Sequence, residues 1–153
     1  MINTATKMTT VAMFMSLIAL STGCKKDQPS SNSVQSTVQN NLQSGEWRVT
    51  RFIDSDNDET TRYVGYIFSF DAGYQLSVMS NQNSYQGSWS IGQDNSNDDS
   101  SNDLHFNLNV NTTGEFADIN DDWHILTQTA NKIELEDVSG GNGGTDYLTF
   151  ERN

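Results

Sequence analysis

The chain has 153 residues, the usual size of one domain, and carries 8 lysine and arginine residues against 20 aspartate and glutamate residues. A formal net charge of −12, a hydrophobic share of 34% and a mean hydropathy of −0.62 exclude a multi-pass membrane protein, a nucleic-acid-binding protein and a two-domain enzyme. With 1 cysteine, the chain cannot form an internal disulfide.

Residues 1–23 have the pattern of a secretory signal. Lys7 precedes an apolar run at 11–20, and three small residues follow at 21–23. The run is too short to cross a bilayer of about 30 Å as a helix. A buried helix of the folded domain is the alternative, but polar sequence follows at once, so we predict a signal peptide over 1–23.

The single cysteine, Cys24, directly follows this run. The arrangement resembles the signal of bacterial lipoproteins, in which small residues precede a cysteine that becomes the lipidated first residue. The resemblance implies palmitate or similar acyl chains on Cys24, and each methylene buried in the membrane contributes about 0.8 kcal/mol. Lys25 after the cysteine implies sorting to the outer membrane, on its periplasmic face or at the cell surface.

Residues 24–44 combine the predicted lipidated cysteine with a polar segment. That segment is rich in serine, asparagine and glutamine, contains Pro29, and has no sustained apolar period. It buries too little apolar surface to offset the entropy of ordering it. We therefore predict a flexible tether, within which 35–42 is compatible with a helical turn.

From residue 45 onward the apolar residues recur with a period of two, which is typical of strands with one buried face. In 104–110, for example, four apolar residues alternate with three polar ones. One helical turn is expected at 115–119. Eight strands are predicted, separated by polar and glycine-containing turns; they cover 47–53, 63–70, 74–80, 85–91, 104–110, 123–129, 132–137 and 146–152.

Eight short strands with one apolar face predict an all-β domain over 45–153. We expect an eight-stranded antiparallel up-and-down barrel, because closure removes the exposed strand edges that this domain has no proline to block. A barrel of this size encloses room for side chains or for one small ligand. A two-sheet sandwich would use the same pattern and is the alternative.

The sequence Gly45-Glu46-Trp47 resembles the Gly-x-Trp signature of lipocalin and calycin barrels, and Arg152 stands where those barrels place a basic residue across the tryptophan. More closely, 45–153 is similar to the small lipocalin-like lipoproteins of Gram-negative bacteria; the matching stretches are GEWRVTRFID, YIFSF, YQGSWSI, DDWHIL, KIELEDVSGG and DYLTFER. The resemblance implies a lipocalin-like barrel closed by the Arg152 guanidinium over the Trp47 indole, a contact that contributes about 0.5–2 kcal/mol.

Arg51 is a candidate for orienting a ligand inside the barrel. It shares strand parity with Trp47 and Val49, which predicts an inward side chain. A buried guanidinium needs an anion, and the carboxylate of an amphipathic ligand would serve. The alternative is a bulge that turns Arg51 outward and Phe52 inward.

Four aromatic residues are predicted to line the interior: Tyr66, Trp89, Phe106 and Trp123. They are candidates for contact with a small hydrophobic ligand. Large side chains also fill barrels of this size, so the same four residues can instead form a packed core. The volume left inside the barrel separates the two interpretations.

Three acidic stretches lie between predicted strands, at 54–59, 94–103 and 118–122. The alternating carboxylates at 54–59 can converge on Ca²⁺, but the glycine of a calcium-binding loop is missing, so all three stretches are interpreted as solvated loops. His105 and His124 have polar parity and are predicted to face solvent. We therefore assign no metal site.

The sequence carries no pattern that indicates catalysis. No strained nucleophile turn surrounds a serine, and the glycine-rich stretch at 140–144 lacks the lysine of a phosphate-binding loop. We expect neither an enzyme nor a cofactor. The first functional hypothesis is a lipid-anchored envelope protein whose barrel binds a small hydrophobic or amphipathic ligand. The second is a filled barrel that serves as an interaction or accessory module and uses its acidic loops toward a protein or glycan.

Overall fold

A computed structural model describes residues 31–93, 104–138 and 144–153. The predicted signal peptide at 1–23, the predicted lipidation site Cys24 and the acidic stretch at 94–103 lie outside the described residues. The elements, in chain order, are helix α1 (Ser31–Gln43), strands β1 (Glu46–Asp54) and β2 (Asn57–Asp58), a 3₁₀ helix (Thr60–Tyr63), strands β3 (Ile67–Asp71), β4 (Gln75–Met79), β5 (Ser84–Gln93) and β6 (Leu104–Val110), a second 3₁₀ helix (Ala117–Ile119), and strands β7 (Asp122–Gln128), β8 (Lys132–Asp137) and β9 (Asp146–Arg152).

Eight of the strands form one closed antiparallel sheet. From β3 to β9 each strand pairs with the next in chain order, and β1 pairs with both β3 and β9. The two-residue strand β2 pairs with the end of β1. The predicted all-β, eight-stranded antiparallel up-and-down barrel is confirmed, because a two-sheet sandwich would not join its first and last strands in this way.

One predicted strand begins later than expected. The strand predicted at 63–70 starts at Ile67, because the residues before it form the first 3₁₀ helix. Gly65 lies between the two elements with φ of 87°, a left-handed conformation that interrupts a strand. The side chain of Tyr63 is nevertheless buried in the core, which is why it continues the apolar pattern without belonging to the strand. The helical turn expected at 115–119 is present as the second 3₁₀ helix.

The prediction of a flexible tether is wrong for residues 31–43. They form α1, which contacts β3 and β5 and buries Val38 and Leu42. Together with Val34 these residues recur every four positions, so they share one face of the helix. A helix with this polar sequence would have only marginal stability in isolation, so its packing against the barrel is what stabilises it. The helical turn that the sequence allowed at 35–42 lies within α1, but the short apolar stripe was too weak a periodic signal to predict the whole helix.

Described elements cover both ends of the barrel. At the helix end, α1 lies across the strand termini, and Gln35 Nε2 donates a hydrogen bond to the carbonyl oxygen of Ile91 at 2.7 Å. At the opposite, loop end, the two 3₁₀ helices are joined by Arg62, which contacts Glu59 and lies 2.5 Å from a carboxylate oxygen of Asp118. The barrel therefore has covered ends as well as a closed wall.

Candidate functional site

The four residues predicted to line the interior all lie inside the barrel wall: Tyr66, Trp89, Phe106 and Trp123. The rings of Trp89 and Phe106 are in edge contact, with centroids 6.3 Å apart. Trp89 Nε1 donates to the carbonyl oxygen of Asp71 at 3.2 Å, and Trp123 Nε1 donates to a backbone carbonyl of the second 3₁₀ helix at 3.0 Å. The polar atoms of both indoles are thus satisfied by the backbone at the barrel ends.

Phenylalanine side chains occupy the middle of the barrel. The ring of Phe150 lies 5.1 Å from that of Phe68 and 5.6 Å from that of Phe70, measured between centroids. Phe106 completes the cluster, 5.4 Å from Phe70. Aromatic rings at these separations are in contact, and each pair contributes about 0.5–1.5 kcal/mol beyond the area it buries. Side chains therefore fill the space in which a ligand was expected.

Trp47 and Arg152 meet at the helix end. They are paired across β1 and β9, and the guanidinium carbon of Arg152 lies 5.3 Å from the Trp47 ring centroid. Each side chain also reaches α1: Trp47 Nε1 donates to the carbonyl oxygen of Leu42 at 2.9 Å, and Arg152 Nη2 donates to that of Asn41 at 2.9 Å. The pair thus ties the carboxyl end of the helix to the barrel, a link that the sequence did not indicate.

The inward orientation of Arg51 that strand parity predicts is wrong, and the alternative, a bulge that turns Arg51 outward and Phe52 inward, is correct. A β-bulge between Val49 and Arg51 shifts the register of β1 against β9. The bulge turns Arg51 to the outside, where its guanidinium carbon lies 4.8 Å from the ring centroid of Tyr147, and places Phe52 in the core. Arg51 therefore cannot orient a ligand inside the barrel.

Two carboxylates of the acidic stretch at 54–59 are engaged within the protein. Hydrogen bonds from Thr60, through its hydroxyl and its backbone N–H, lower the pKa of the Asp58 carboxyl below its usual value. The carboxylate of Glu59 pairs with Arg62. Over the described ranges, no group of three or more histidine, cysteine, aspartate or glutamate side chains is placed to hold a metal ion.

His105 is less accessible than its strand parity predicts. Its side chain is 16% exposed, and its ring packs edge-on against that of His124, with centroids 5.6 Å apart. Nδ1 of His105 lies 3.3 Å from a carboxylate oxygen of Asp122, but the geometry is not that of a hydrogen bond. His105 therefore lies on the outer face of the sheet, as its strand parity predicts, but a neighbouring ring covers it there.

A groove of about 540 Å³ crosses the outside of β5 and β6. Its volume lies within the range of small-molecule sites. Outward side chains of the two strands line it: Ser88 and Ser90 on β5, and Asn107 and Asn109 on β6. In the parts of the chain that the structure describes, none of these four side chains forms a hydrogen bond with another residue. Their donors and acceptors are therefore available to a bound molecule.

Tyr74 lies on the β4 side of this groove. It is 52% exposed, its ring contacts that of Trp89 with centroids 5.9 Å apart, and its carbonyl oxygen accepts a hydrogen bond from Trp89 N at 3.1 Å. Its φ of 64° is left-handed, which is rare for a bulky residue. Such strain is frequent where a side chain serves a function.

Asn120 and Asp121 lie on the β7 side of the groove. The side-chain amide of Asn120 pairs with the backbone of Val110, accepting from its N–H at 2.6 Å and donating to its carbonyl at 3.0 Å. The Asp121 carbonyl accepts from Leu108 N at 2.9 Å. These bonds hold the loop before β7 against β6 and fix that side of the groove.

This groove was not predicted from the sequence. The available signal was the polar face of the strand at 104–110, which, apart from His105, consists of uncharged asparagines in a strongly acidic chain. Tyr74 and Asp121 are far apart in the chain, and only the pairing of β4 through β7 brings them to the two sides of one surface.

Comparison with known proteins finds a similar solved structure. No family model matches the sequence, and no curated protein matches it. The chain is similar to a crystal structure of a DUF4847 family protein from Bacteroides vulgatus, at 17% sequence identity and a TM-score of 0.48, over 76% of this chain and 97% of that one. Among the described residues, no helix is both long enough and apolar enough to cross a membrane.

Proposed function

We propose that the chain is a lipid-anchored protein of the bacterial outer membrane, and that its barrel is a non-enzymatic module that binds a protein or glycan partner on its outer surface. The observation that carries this proposal is the filled interior. Phe68, Phe106 and Phe150 belong to a continuous cluster of rings along the barrel, and both barrel ends are covered.

A ligand inside the barrel would have to displace these rings. Each aromatic side chain buries roughly 150–250 Å² of surface, and removal of a buried phenylalanine side chain costs about 3–5 kcal/mol. A small ligand would have to recover this free energy before it bound at all. The outer wall offers unpartnered polar side chains without such a cost, so the filled barrel favours external binding over the internal ligand of the first hypothesis.

The position of α1 supports presentation from a membrane. Ser31, where α1 begins, lies seven residues after Cys24, and an extended chain of that length spans at most about 25 Å. Acyl chains on Cys24 would therefore hold the helix end of the barrel close to the bilayer. The groove on the side wall would stay accessible to a partner.

Native mass spectrometry of the full chain, extracted from its host in a mild detergent, tests this function. We expect the mass of a chain that begins at an acylated Cys24 and carries no small molecule. The Cys24→Ala variant should lose the acyl mass and leave the membrane fraction. A molecule of fixed mass that is retained under native conditions and lost on denaturation would overturn external binding, and an unmodified wild-type Cys24 would overturn the anchor.

A further inference from the structure

We infer that the groove between Tyr74 and Asp121 is a binding site for a neutral oligosaccharide. This inference deepens the proposed function and depends on it, because it names the class of partner that the outer wall would bind. It rests on three properties of the groove, namely its hydrogen-bonding groups, its aromatic wall and its charge.

The hydrogen-bonding groups suit a sugar. A pyranose ring carries hydroxyl groups that both donate and accept hydrogen bonds. The amides of Asn107 and Asn109 and the hydroxyls of Ser88 and Ser90 also both donate and accept. Because these four side chains have no partner among the described residues, a sugar can bond to them without breaking a bond inside the protein.

Tyr74 supplies the aromatic wall. Sugars have apolar C–H faces that pack against aromatic rings, and a tyrosine offers a large rigid surface at little entropic cost. Tyr74 is half exposed, yet its backbone is held at φ of 64° by its hydrogen bond and ring contact with Trp89. A glycine or asparagine would adopt this conformation more readily. A role for the ring itself accounts for a tyrosine at such a position.

The charge and polarity of the groove disfavour anionic ligands and acyl chains. Asp121 is the charged residue among those that line the groove, and it can accept hydrogen bonds from hydroxyl groups. Among the described residues, no lysine or arginine contributes to this lining, and the chain has a net charge of −12. Phosphates and acidic sugars would be repelled. An acyl chain in the groove would lie against the polar outer faces of β5 and β6, and it could not form hydrogen bonds with the side-chain amides there.

Isothermal titration of the detergent-solubilised full chain tests the inference. The detergent should be a polyoxyethylene ether, because detergents with sugar headgroups would compete for the groove. The probes are neutral hexasaccharides of glucose, mannose and galactose, in α- and β-linked forms, and an oligogalacturonate of equal length is the acidic counterpart. We expect at least one neutral hexasaccharide to bind and the acidic one to bind at least about tenfold more weakly.

Variants then locate the site. Tyr74→Gly removes the ring while it relieves the left-handed backbone, and it should weaken binding about tenfold. Asn107→Ala and Asn109→Ala should each weaken it roughly fivefold. Asn57→Ala, an exposed asparagine on the far side of the barrel, is the matched control and should change nothing. Thermal unfolding of each variant shows that a loss of binding is not a loss of fold.

Two results would overturn the inference. One is that no neutral hexasaccharide binds to the wild-type chain, and the other is that binding survives the combined Tyr74→Gly and Asn109→Ala changes. If either occurs while native mass spectrometry finds no molecule inside the barrel, external binding stands and the partner is a protein or another surface. If a molecule is found inside the barrel, the proposed function itself fails, whatever the titration shows.

Discussion

The guanidinium carbon of Arg152, at the end of β9, lies 5.3 Å from the ring centroid of Trp47, at the start of β1, and both side chains donate hydrogen bonds to the last turn of α1. One pair of residues therefore joins three elements: the first strand, the last strand and the helix that covers the barrel end. The joint explains why α1 is ordered despite its polar sequence.

Arg152→Ala should lower the free energy of unfolding by about 2 kcal/mol. The change removes a cation–π contact and charge-assisted hydrogen bonds to Asn41 and Ser44. Arg152→Lys keeps the positive charge but lacks the planar guanidinium group with its several N–H donors. It should therefore recover less than half of the lost stability. Urea unfolding measures both. Arg48→Ala, at an exposed arginine of β1, is the control, and an equal loss there would contradict the role of Arg152.

Leu42→Ala should destabilise the protein by about 2–3 kcal/mol, because Leu42 is buried between α1 and the barrel. It should also speed amide hydrogen exchange throughout 31–43. If these residues were a flexible tether, the change would be neutral. Asn40→Ala, on the exposed face of the same helix, is the control and should shift the unfolding midpoint little.

Gly87→Ala should disrupt the barrel wall. A Cβ atom at Gly87 would stand 2.0 Å from the carbonyl oxygen of Asn109, so β5 and β6 would have to separate there. We expect a loss of more than about 2 kcal/mol in thermal unfolding. Gly92→Ala lies on the same strand with no atom within 4 Å of the added Cβ, and it should be tolerated. Equal effects of the two changes would argue against the close approach of the strands.

Tyr63→Phe should stabilise the protein by about 1 kcal/mol at neutral pH. The Tyr63 hydroxyl is buried and has no hydrogen-bond partner among the described residues, so its removal leaves no unsatisfied polar atom. Chemical unfolding at pH 7 measures the gain. Tyr74→Phe is the control, because the Tyr74 side chain is half exposed and the change should stay within about 0.5 kcal/mol.

The same residue makes stability depend on alkaline pH. Burial raises the pKa of Tyr63 above its ordinary value, so the unfolded chain releases this proton at lower pH than the folded chain does. Stability is therefore complete below about pH 10 and falls as the pH rises further. The fall should be smaller in Tyr63→Phe, as measured by unfolding at pH 9, 10 and 11. If the free energy of unfolding fell equally steeply with pH in Tyr63→Phe, another titrating group would be the cause of the fall.

Much of the barrel could be predicted from alternation, because strand parity is a local property of the chain. The segment at 104–110 shows this: Phe106 lies in the core and Asn107 on the outer face, as its period of two requires. Turn residues between such segments then mark where each strand begins and ends. The closed barrel follows from eight such strands, since closure leaves no exposed edge.

The failures arise where a distant contact overrides the local pattern. The bulge beside Arg51 depends on how β1 pairs with β9, so parity alone placed the side chain on the wrong face. The order of α1 depends on a surface formed by strands that follow it in the chain.

Composition and alternation are local properties of the chain, so most of the strands, the inward aromatic residues and the acidic character could be predicted without knowledge of the fold. Tertiary structure alone decided that side chains fill the interior and that a polar groove lies on the wall. Whether rings such as Phe70 and Phe150 meet depends on how far apart the strands close around them. The groove likewise exists because Tyr74 directly precedes β4 and Asp121 directly precedes β7, on either side of the same two strands.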